Sequence, residues 1–407
     1  MNPSSKNRIL LAGIPTFKRS NAPRWLCTYT LTNNAIFVNL ELMYIKRHLE
    51  DKLRERLFKG KVLIVYGPRQ AGKTTLIKEF VKGFGDSVRY IDCELLSNNE
   101  LLSRRDTSEI FSLVKGYKIV VFDEAQTVRG IGSVLKSLFD HHPEVQYIAT
   151  GSSSFDLANE VSEPLTGRSI EYTLYHFGLT ELVSTAFDAE NKIRDFLRFG
   201  AYPGIQNETE EEKIVQLNTL VSQYLYKNVF AIEGFRKPDL VISLLKLLAF
   251  RIGNEVSYRE LSSTLGTSIA TIQKYIGLLE KNYVILRIGS YSGNQRNEVV
   301  KSKKIYFIDL GLRNALIDNF SPIQVTSRQD IGALFENYMI VERLKHIANK
   351  GGVGLGQFFW RSVSQKEIDY VEQYKGATSG FEFKWNPQKK AKTPDLFKKM
   401  YPNIKVD

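Results

Sequence analysis

The sequence predicts an α/β protein. Its first half reads as a helix-covered parallel sheet, and its second half as a three-helix unit with a β-hairpin, then a small α+β unit. Three observations predict this. An apolar run, Val62–Tyr66, leads into a glycine loop at Gly67 and then a helical stretch, Thr75–Val81. Between residues 60 and 178 apolar strands alternate with helical segments, the pattern of a buried parallel sheet. After residue 240, three helical segments precede two strand-like runs.

The loop reads Gly67-Pro68-Arg69-Gln70-Ala71-Gly72-Lys73-Thr74-Thr75, which fits Gly, four residues, then Gly-Lys-Ser/Thr. A strand, a glycine loop and a helix start form an anion cradle. Backbone amides wrap the phosphates, the helix N-terminus faces them, and Lys73 reaches the terminal phosphates. Thr74 is expected to hold Mg²⁺. The bland alternative, a glycine turn before a helix, does not require both flanks to be correct.

The other expected strands are 88–92, 118–123, 145–150 and roughly 169–175. Lys118-Ile119-Val120-Val121-Phe122-Asp123-Glu124 is an apolar strand ending in two acids. Asp123 is expected to hold Mg²⁺ through water, and Glu124 to polarise the attacking water. Two acids at a strand end are often only solvated; beside the phosphate loop they become a signal. Thr150-Gly151-Ser152-Ser153-Ser154 follows the next strand. Either Thr150 or Ser152 touches the terminal phosphate or its water, or this is a serine-rich turn. Arg168, in Leu165-Thr166-Gly167-Arg168, reads as a charge-neutralising arginine in its own site or a neighbour's, or as a surface arginine. Arg69 and Arg129 are weaker candidates for that role.

The chain has 407 residues and a net charge of +12, which favours a polyanionic partner, nucleic acid before membrane surface. Two cysteines, Cys27 and Cys93, argue against a disulfide framework and fit a reducing cytoplasm. No apolar run of ~18 residues is present, so no membrane span is expected. Residues 1–42 lack a sustained period and are expected to be an extension, a disordered tail or a mis-assigned start, with the functional protein beginning near Met43. The expected division is 43–235 for the nucleotide domain with a helical extension, 236–325 for the three-helix unit and 326–407 for the last unit.

With these residues together, the chain resembles the AAA+-like P-loop ATPases of bacteria and archaea that carry a C-terminal domain of unknown function. The likeness rests on Gly67–Thr75, Val121–Gln126, Thr150–Ser153, Leu165–Arg168 and Phe199-Gly200-Ala201-Tyr202-Pro203-Gly204. It implies a core with strand order 5-1-4-3-2, ATP as nucleotide, and a winged helix after the ATPase. The chain departs from the family at Tyr175-His176-Phe177-Gly178-Leu179-Thr180-Glu181, where a Pro-Leu-Ser-Phe stretch is common.

Three helices near 240–250, 257–265 and 268–280, then strands near 283–287 and 304–308, read as a winged helix-turn-helix. Ser257 and Glu260 are spaced as a capping box. The third of these helices would present Thr267, Ser268, Thr271, Gln273 and Lys274 to DNA, with Arg296, Lys301, Lys303 and Lys304 on the hairpin. The alternative is a winged helix used only for packing or for a protein partner. In the last unit, a helix near 331–348 and strands near 357–361, 367–372 and 381–385 are expected. Asp369 followed by Glu382-Phe383-Lys384 resembles the metal site of restriction-endonuclease-like folds. That resemblance implies Mg²⁺ on Asp369 and Glu382, Lys384 at the attacked phosphate, and Glu336 completing the site. Asp369 and Glu382 share a face only if cross-strand partners have numbers with an odd sum. The alternative is a half-buried strand with compensating charges. Three readings of function follow: an ATP-hydrolysing protein acting on DNA or a protein partner, an ATP-regulated Mg²⁺-dependent DNA endonuclease, and a nucleotide switch or scaffold without turnover. Oligomeric state is not legible.

Overall fold

Alternate residues of the strand Val62–Tyr66 enter two different cores, which is why the run is apolar throughout. Val62, Ile64 and Tyr66 pack on one face and Leu63 and Val65 on the other. The computed structural model describes residues 29–32, 35–38, 44–151, 165–223, 237–292, 303–324, 328–351, 354–386, 388 and 392–407.

In chain order, a short antiparallel hairpin, β1 (Tyr29–Thr32) and β2 (Ala35–Val38), comes first. The rest of the 1–42 extension, and Met43, lie outside the described residues. The nucleotide domain follows: α1 (His48–Arg56), β3 (Val62–Tyr66), α2 (Lys73–Val81), β4 (Val88–Asp92), α3 (Leu96–Arg104), α4 (Thr107–Val114), β5 (Ile119–Asp123), α5 (Ile131–His141), β6 (Gln146–Gly151) and β7 (Ser169–Thr173). These five strands, β3 to β7, are all parallel, in the order β4-β5-β6-β3-β7. Counted from β3 as the first, that is the expected 5-1-4-3-2. Helices α1 and α2 cover one face through Leu49, Leu53, Leu76, Ile77 and Phe80. Helices α4 and α5 cover the other through Ile110, Val114, Ile131, Leu135 and Leu138.

Helices α6 (Leu179–Leu182), α7 (Ala186–Phe199) and α8 (Glu210–Gln223) form the helical extension. Then come α9 (Pro238–Phe250), β8 (Glu255–Val256), α10 (Tyr258–Thr264), α11 (Ile269–Lys281), β9 (Ile285–Ser290), β10 (Lys303–Phe307) and α12 (Leu310–Leu316). Ser257 caps α10 by accepting from the Glu260 amide at 3.3 Å, and Ser268 caps α11 by accepting from Thr271 at 3.1 Å. The hairpin tip with Arg296 and Lys301 lies outside the described residues.

The last segment contains α13 (Ile331–Asn349), β11 (Gly356–Arg361), β12 (Glu367–Tyr374), β13 (Ala377–Phe381), α14 (Asp395–Met400) and β14 (Lys405–Val406). The strand expected at 381–385 is displaced: the ladder with β12 ends at Tyr370↔Phe381. Beyond it the Glu382 amide donates to Asp407 O at 3.0 Å and the Phe383 amide to the Asp369 carboxylate at 2.8 Å. Period two persists there without a strand partner.

Strands from the expected 236–325 and 326–407 units join in one seven-stranded sheet, β14-β13-β12-β11-β9-β10-β8. The seam is the parallel pair β9–β11, with Phe358↔Gly289 and Phe359↔Ser290. A shared core also binds the halves, with Phe177, Leu179 and Phe196 packed among Ile288, Tyr306, Leu334, Tyr338 and Phe381. Among the described residues no helix is long and apolar enough to cross a membrane.

Candidate nucleotide site

Every feature of the phosphate loop follows from its place at the C-terminal edge of β3. Gly67 takes φ 151°, and a Cβ there would lie 2.0 Å from Leu174 O, so only glycine fits. Gln70 (φ 58°) and Gly72 (φ 88°) are left-handed, the alternation that turns successive amides toward one concavity. Gly72 then begins α2, whose N-terminus faces that concavity. The buried Lys73 ammonium donates to Gly67 O and Pro68 O, each at 3.1 Å, folding back across the cradle. Burial holds it below the usual lysine range, against the pull of Glu124 and Asp123. Pro68 and Ala71 are buried under the loop, while Arg69, Gln70 and Thr75 are exposed.

The acids of β5 arrive beside it. Thr74 Oγ1 donates to Asp123 Oδ2 at 2.8 Å, and Thr150 Oγ1 donates to Asp123 Oδ1 at 2.5 Å. Tyr90 from β4 donates to the same carboxylate. Glu124 sits in a left-handed turn (φ 50°), its amide donating to Thr150 Oγ1 at 3.0 Å. Its carboxylate stands 4.0 Å from Lys73 Nζ and accepts from Gln126 Nε2 at 2.6 Å. The phosphate loop, Asp123, Glu124 and Thr150 are therefore brought together as the sequence predicts; Ser152 lies outside the described residues. The hydroxyl of Thr74 in contact with the Asp123 carboxylate is a donor set that suits Mg²⁺ beside a phosphate loop. Thr150→Val is expected to slow turnover about tenfold to a hundredfold, for a lost hydrogen bond of about 1–3 kcal/mol, with nucleotide affinity little changed. Single-turnover phosphate release alongside equilibrium binding checks it.

Arg168 corrects the expectation placed on it. It precedes the first residue of β7, its carbonyl accepting from Val62, at the edge of the sheet opposite the loop. Five strand residues put it roughly 16 Å away along the strands. Its guanidinium instead holds Asp140 at 2.8 Å on the surface. In a parallel sheet a strand's first residue and its last face opposite ends, and Arg168 immediately precedes its strand, so it lies at the end away from the loop.

The structure adds residues the sequence did not single out. Buried Arg47, just before α1, donates to Ala71 O at 2.8 Å, Glu181 Oε1 at 3.0 Å and Tyr175 O at 2.6 Å. It clamps the loop to the segment 174–181. That segment also meets the C-terminal half: Lys345 of α13 donates to Phe177 O at 2.8 Å, and Glu342 accepts from the Leu179 amide at 2.9 Å. Between them lies His176, 1% exposed, 3.6 Å from Asp309 and set against the Arg69 backbone. Burial, then Lys345 and Arg47, hold its imidazole well below the usual histidine range, so it is neutral. Asp309 accepts from Ala201 at 2.7 Å, Gly311 at 2.9 Å and Leu312 at 3.2 Å. Asp309→Ala strips three amide bonds from this junction and is expected to cost about 3 kcal/mol or more in urea unfolding. These contacts join segments far apart in sequence or sit in ordinary-looking turns, so no local pattern flagged them.

The second constellation also converges. Tyr370 pairs with Phe381, so the odd-sum register holds and Asp369 shares a face with Glu382. Lys384 donates to Asp369 at 3.2 Å and Glu382 at 2.8 Å. Burial, then Asp369, push the Glu382 carboxyl up to about 7. Glu336 of α13 is raised as well, chiefly by burial. Among the described residues no group of three or more His, Cys, Asp or Glu side chains is arranged to hold a metal ion. Lys384 lies between Asp369 and Glu382, and Glu382 Oε1 is buried without a hydrogen-bond partner.

Fold and loop together define a P-loop nucleotide domain of the AAA type, followed by domains of unknown function. Residues 59–183 match the family model described as an AAA domain. Residues 190–323 and 331–407 match two domains of unknown function, DUF8612 and DUF4143. An uncharacterized protein of Mycobacterium tuberculosis is 25% identical over 357 residues, covering 87% of this chain and 76% of its own. One of Methanocaldococcus jannaschii is 27% identical over 319 residues, covering 67% of each chain. Among solved structures, the Walker-type ATPase of Pyrococcus abyssi is similar with a TM-score of 0.49 and 17% identity, over 67% of this chain and 96% of that one.

Proposed function

We propose that this protein binds ATP with Mg²⁺, hydrolyses it, and uses the cycle to move its nucleotide domain against its C-terminal half while engaged on DNA or a protein partner. The observation that carries the reading is the network at Asp123, which holds Thr74 on one side and Thr150 on the other, with Glu124 4.0 Å from Lys73. Lys73 and the loop amides hold the β- and γ-phosphates; Thr74 and Asp123 would hold Mg²⁺, which neutralises phosphate charge when bound. Glu124 orients water for attack and takes up its proton. Thr150 holds both acids in place by bonding the Asp123 carboxylate and the Glu124 amide.

The segment 174–181 supports coupling. It contacts the loop through Leu174 and Arg47 and the C-terminal half through Lys345, Glu342 and Asp309. A rearrangement at the phosphates therefore meets a rigid link to α13. For DNA, helices α9–α11 with the β8–β10 ladder support a winged-helix reading, and Ser268, Gln273 and Lys274 are exposed on α11. Helix α13 against β11–β13 supports the endonuclease-like fold. The test is phosphate release from ATP by the purified chain, with and without duplex DNA. Release that DNA stimulates, with affinity falling steeply as salt rises, supports the reading. No release under any condition would leave a binding switch.

A further inference from the structure

We infer that the acidic cluster of the C-terminal sheet is closed by a cation the chain supplies itself, the Lys304 ammonium, and serves as an interlock between strands and helix instead of a divalent-metal centre. This goes beyond the ATPase reading and does not depend on it. Lys304 projects from β10 and is 1% exposed. Its Nζ donates to Glu336 Oε1 of α13 at 3.0 Å and to Glu367 Oε1 of β12. One ammonium thus ties β10, on one side of the β9–β11 seam, to β12 on the other side and to α13.

Other donors of the chain hold part of the cluster in the same manner, although Glu382 Oε1 is buried without a partner. Tyr306, two residues on in β10, donates to Glu336 Oε1. Arg361 donates to Glu367 Oε2 at 2.6 Å and to Glu255 Oε1 at 2.8 Å. Lys384 and the Phe383 amide occupy Asp369 Oδ2, and Lys384 also holds Glu382 Oε2. A Mg²⁺ ion needs about six oxygen ligands at 2.0–2.1 Å in near-octahedral array. These carboxylates instead point at ammonium and guanidinium donors of the chain itself. Burying an ammonium is costly unless carboxylates pair with it, and here two do. Burial opposes the charge, yet Glu336 and Glu367 together lift Lys304 above the usual lysine range, so it is a cation at every working pH. Removing it leaves Glu336 and Glu367 buried and facing Asp369, three acids with one missing positive charge, which a divalent ion then fills.

The test uses the nucleotide-free full chain and Mn²⁺, followed by electron paramagnetic resonance. In the wild type, Mn²⁺ binding is expected to be the same as in Glu336→Gln and Asp369→Asn, because no ion sits there. Lys304→Met is expected to gain a new stoichiometric Mn²⁺ site, lost again in Lys304→Met combined with Glu336→Gln. Wild-type Mn²⁺ binding that disappears in Glu336→Gln or Asp369→Asn would overturn the inference, and so would a folded Lys304→Met protein that gains no site. The wild-type comparison decides the question even if Lys304→Met fails to fold. Mg²⁺-dependent nicking of plasmid by wild type, abolished by Asp369→Asn, would overturn it as well.

Discussion

Lys73→Ala is expected to reduce ATP turnover by about a hundredfold or more, because it removes the one ammonium the loop aims at the terminal phosphates. That side chain folds back on Gly67 O and Pro68 O inside its own loop, ready to be drawn to an incoming anion. Its burial makes the ammonium costly to keep charged without a partner, so an anion there relieves that cost. Binding and turnover should fall together. A phosphate-release assay with parallel nucleotide titration checks this. Lys73→Arg should not rescue, because a planar guanidinium does not reproduce the compact ammonium that donates to Gly67 O and Pro68 O.

Glu124→Gln is expected to part binding from turnover. Amide and carboxylate have the same shape, so the hydrogen bond with Gln126 and the turn at φ 50° persist, and nucleotide affinity stays within a few fold. What is lost is the base, worth about 10²–10⁴ in rate. The variant should accumulate bound, unhydrolysed ATP. That trapped state also gives a direct view of coupling: hydrogen exchange in α13 should differ between it and the nucleotide-free chain. The difference should shrink in His176→Phe, which breaks the contact with Asp309 without touching the phosphates.

The phosphate loop and the acidic strand were legible because each is a local pattern, whereas the order of the parallel sheet came only from the family resemblance. Gly67 and Gly72 are dictated by backbone angles, and Val62–Tyr66 is apolar because both faces of β3 are covered. What was not legible depends on partners far away in sequence. Arg47 and Glu181 stand 134 positions apart, and nothing local to either names the other as its partner. Arg168 lies away from the loop of its own chain because it precedes its strand, at the end of the sheet opposite the phosphates. The strand at 381–385 was displaced because alternation continues past the last ladder pair, whereas the true strand carries Ala377 and Gly380, residue types that strands disfavour. Glycine suits that position because a Cβ on Gly380 would press to 2.9 Å on Val406 of β14. The acids Glu336, Asp369 and Glu382 were singled out by the resemblance to endonuclease-like folds, and Asp369 and Glu382 share Lys384. Lys304, which pairs with Glu336, comes from β10, where it read as a surface charge of a DNA-binding hairpin. The β9–β11 pairing is parallel and non-local, and a period-two pattern carries no record of its neighbour.

The most direct test of the central claim is equilibrium binding of a fluorescent ATP analogue to the purified chain in Mg²⁺. The account predicts saturable binding at one site per chain, competed by ATP and lost in Lys73→Ala. Absence of binding by a folded wild-type chain, or equal binding by the Lys73→Ala chain, would contradict it.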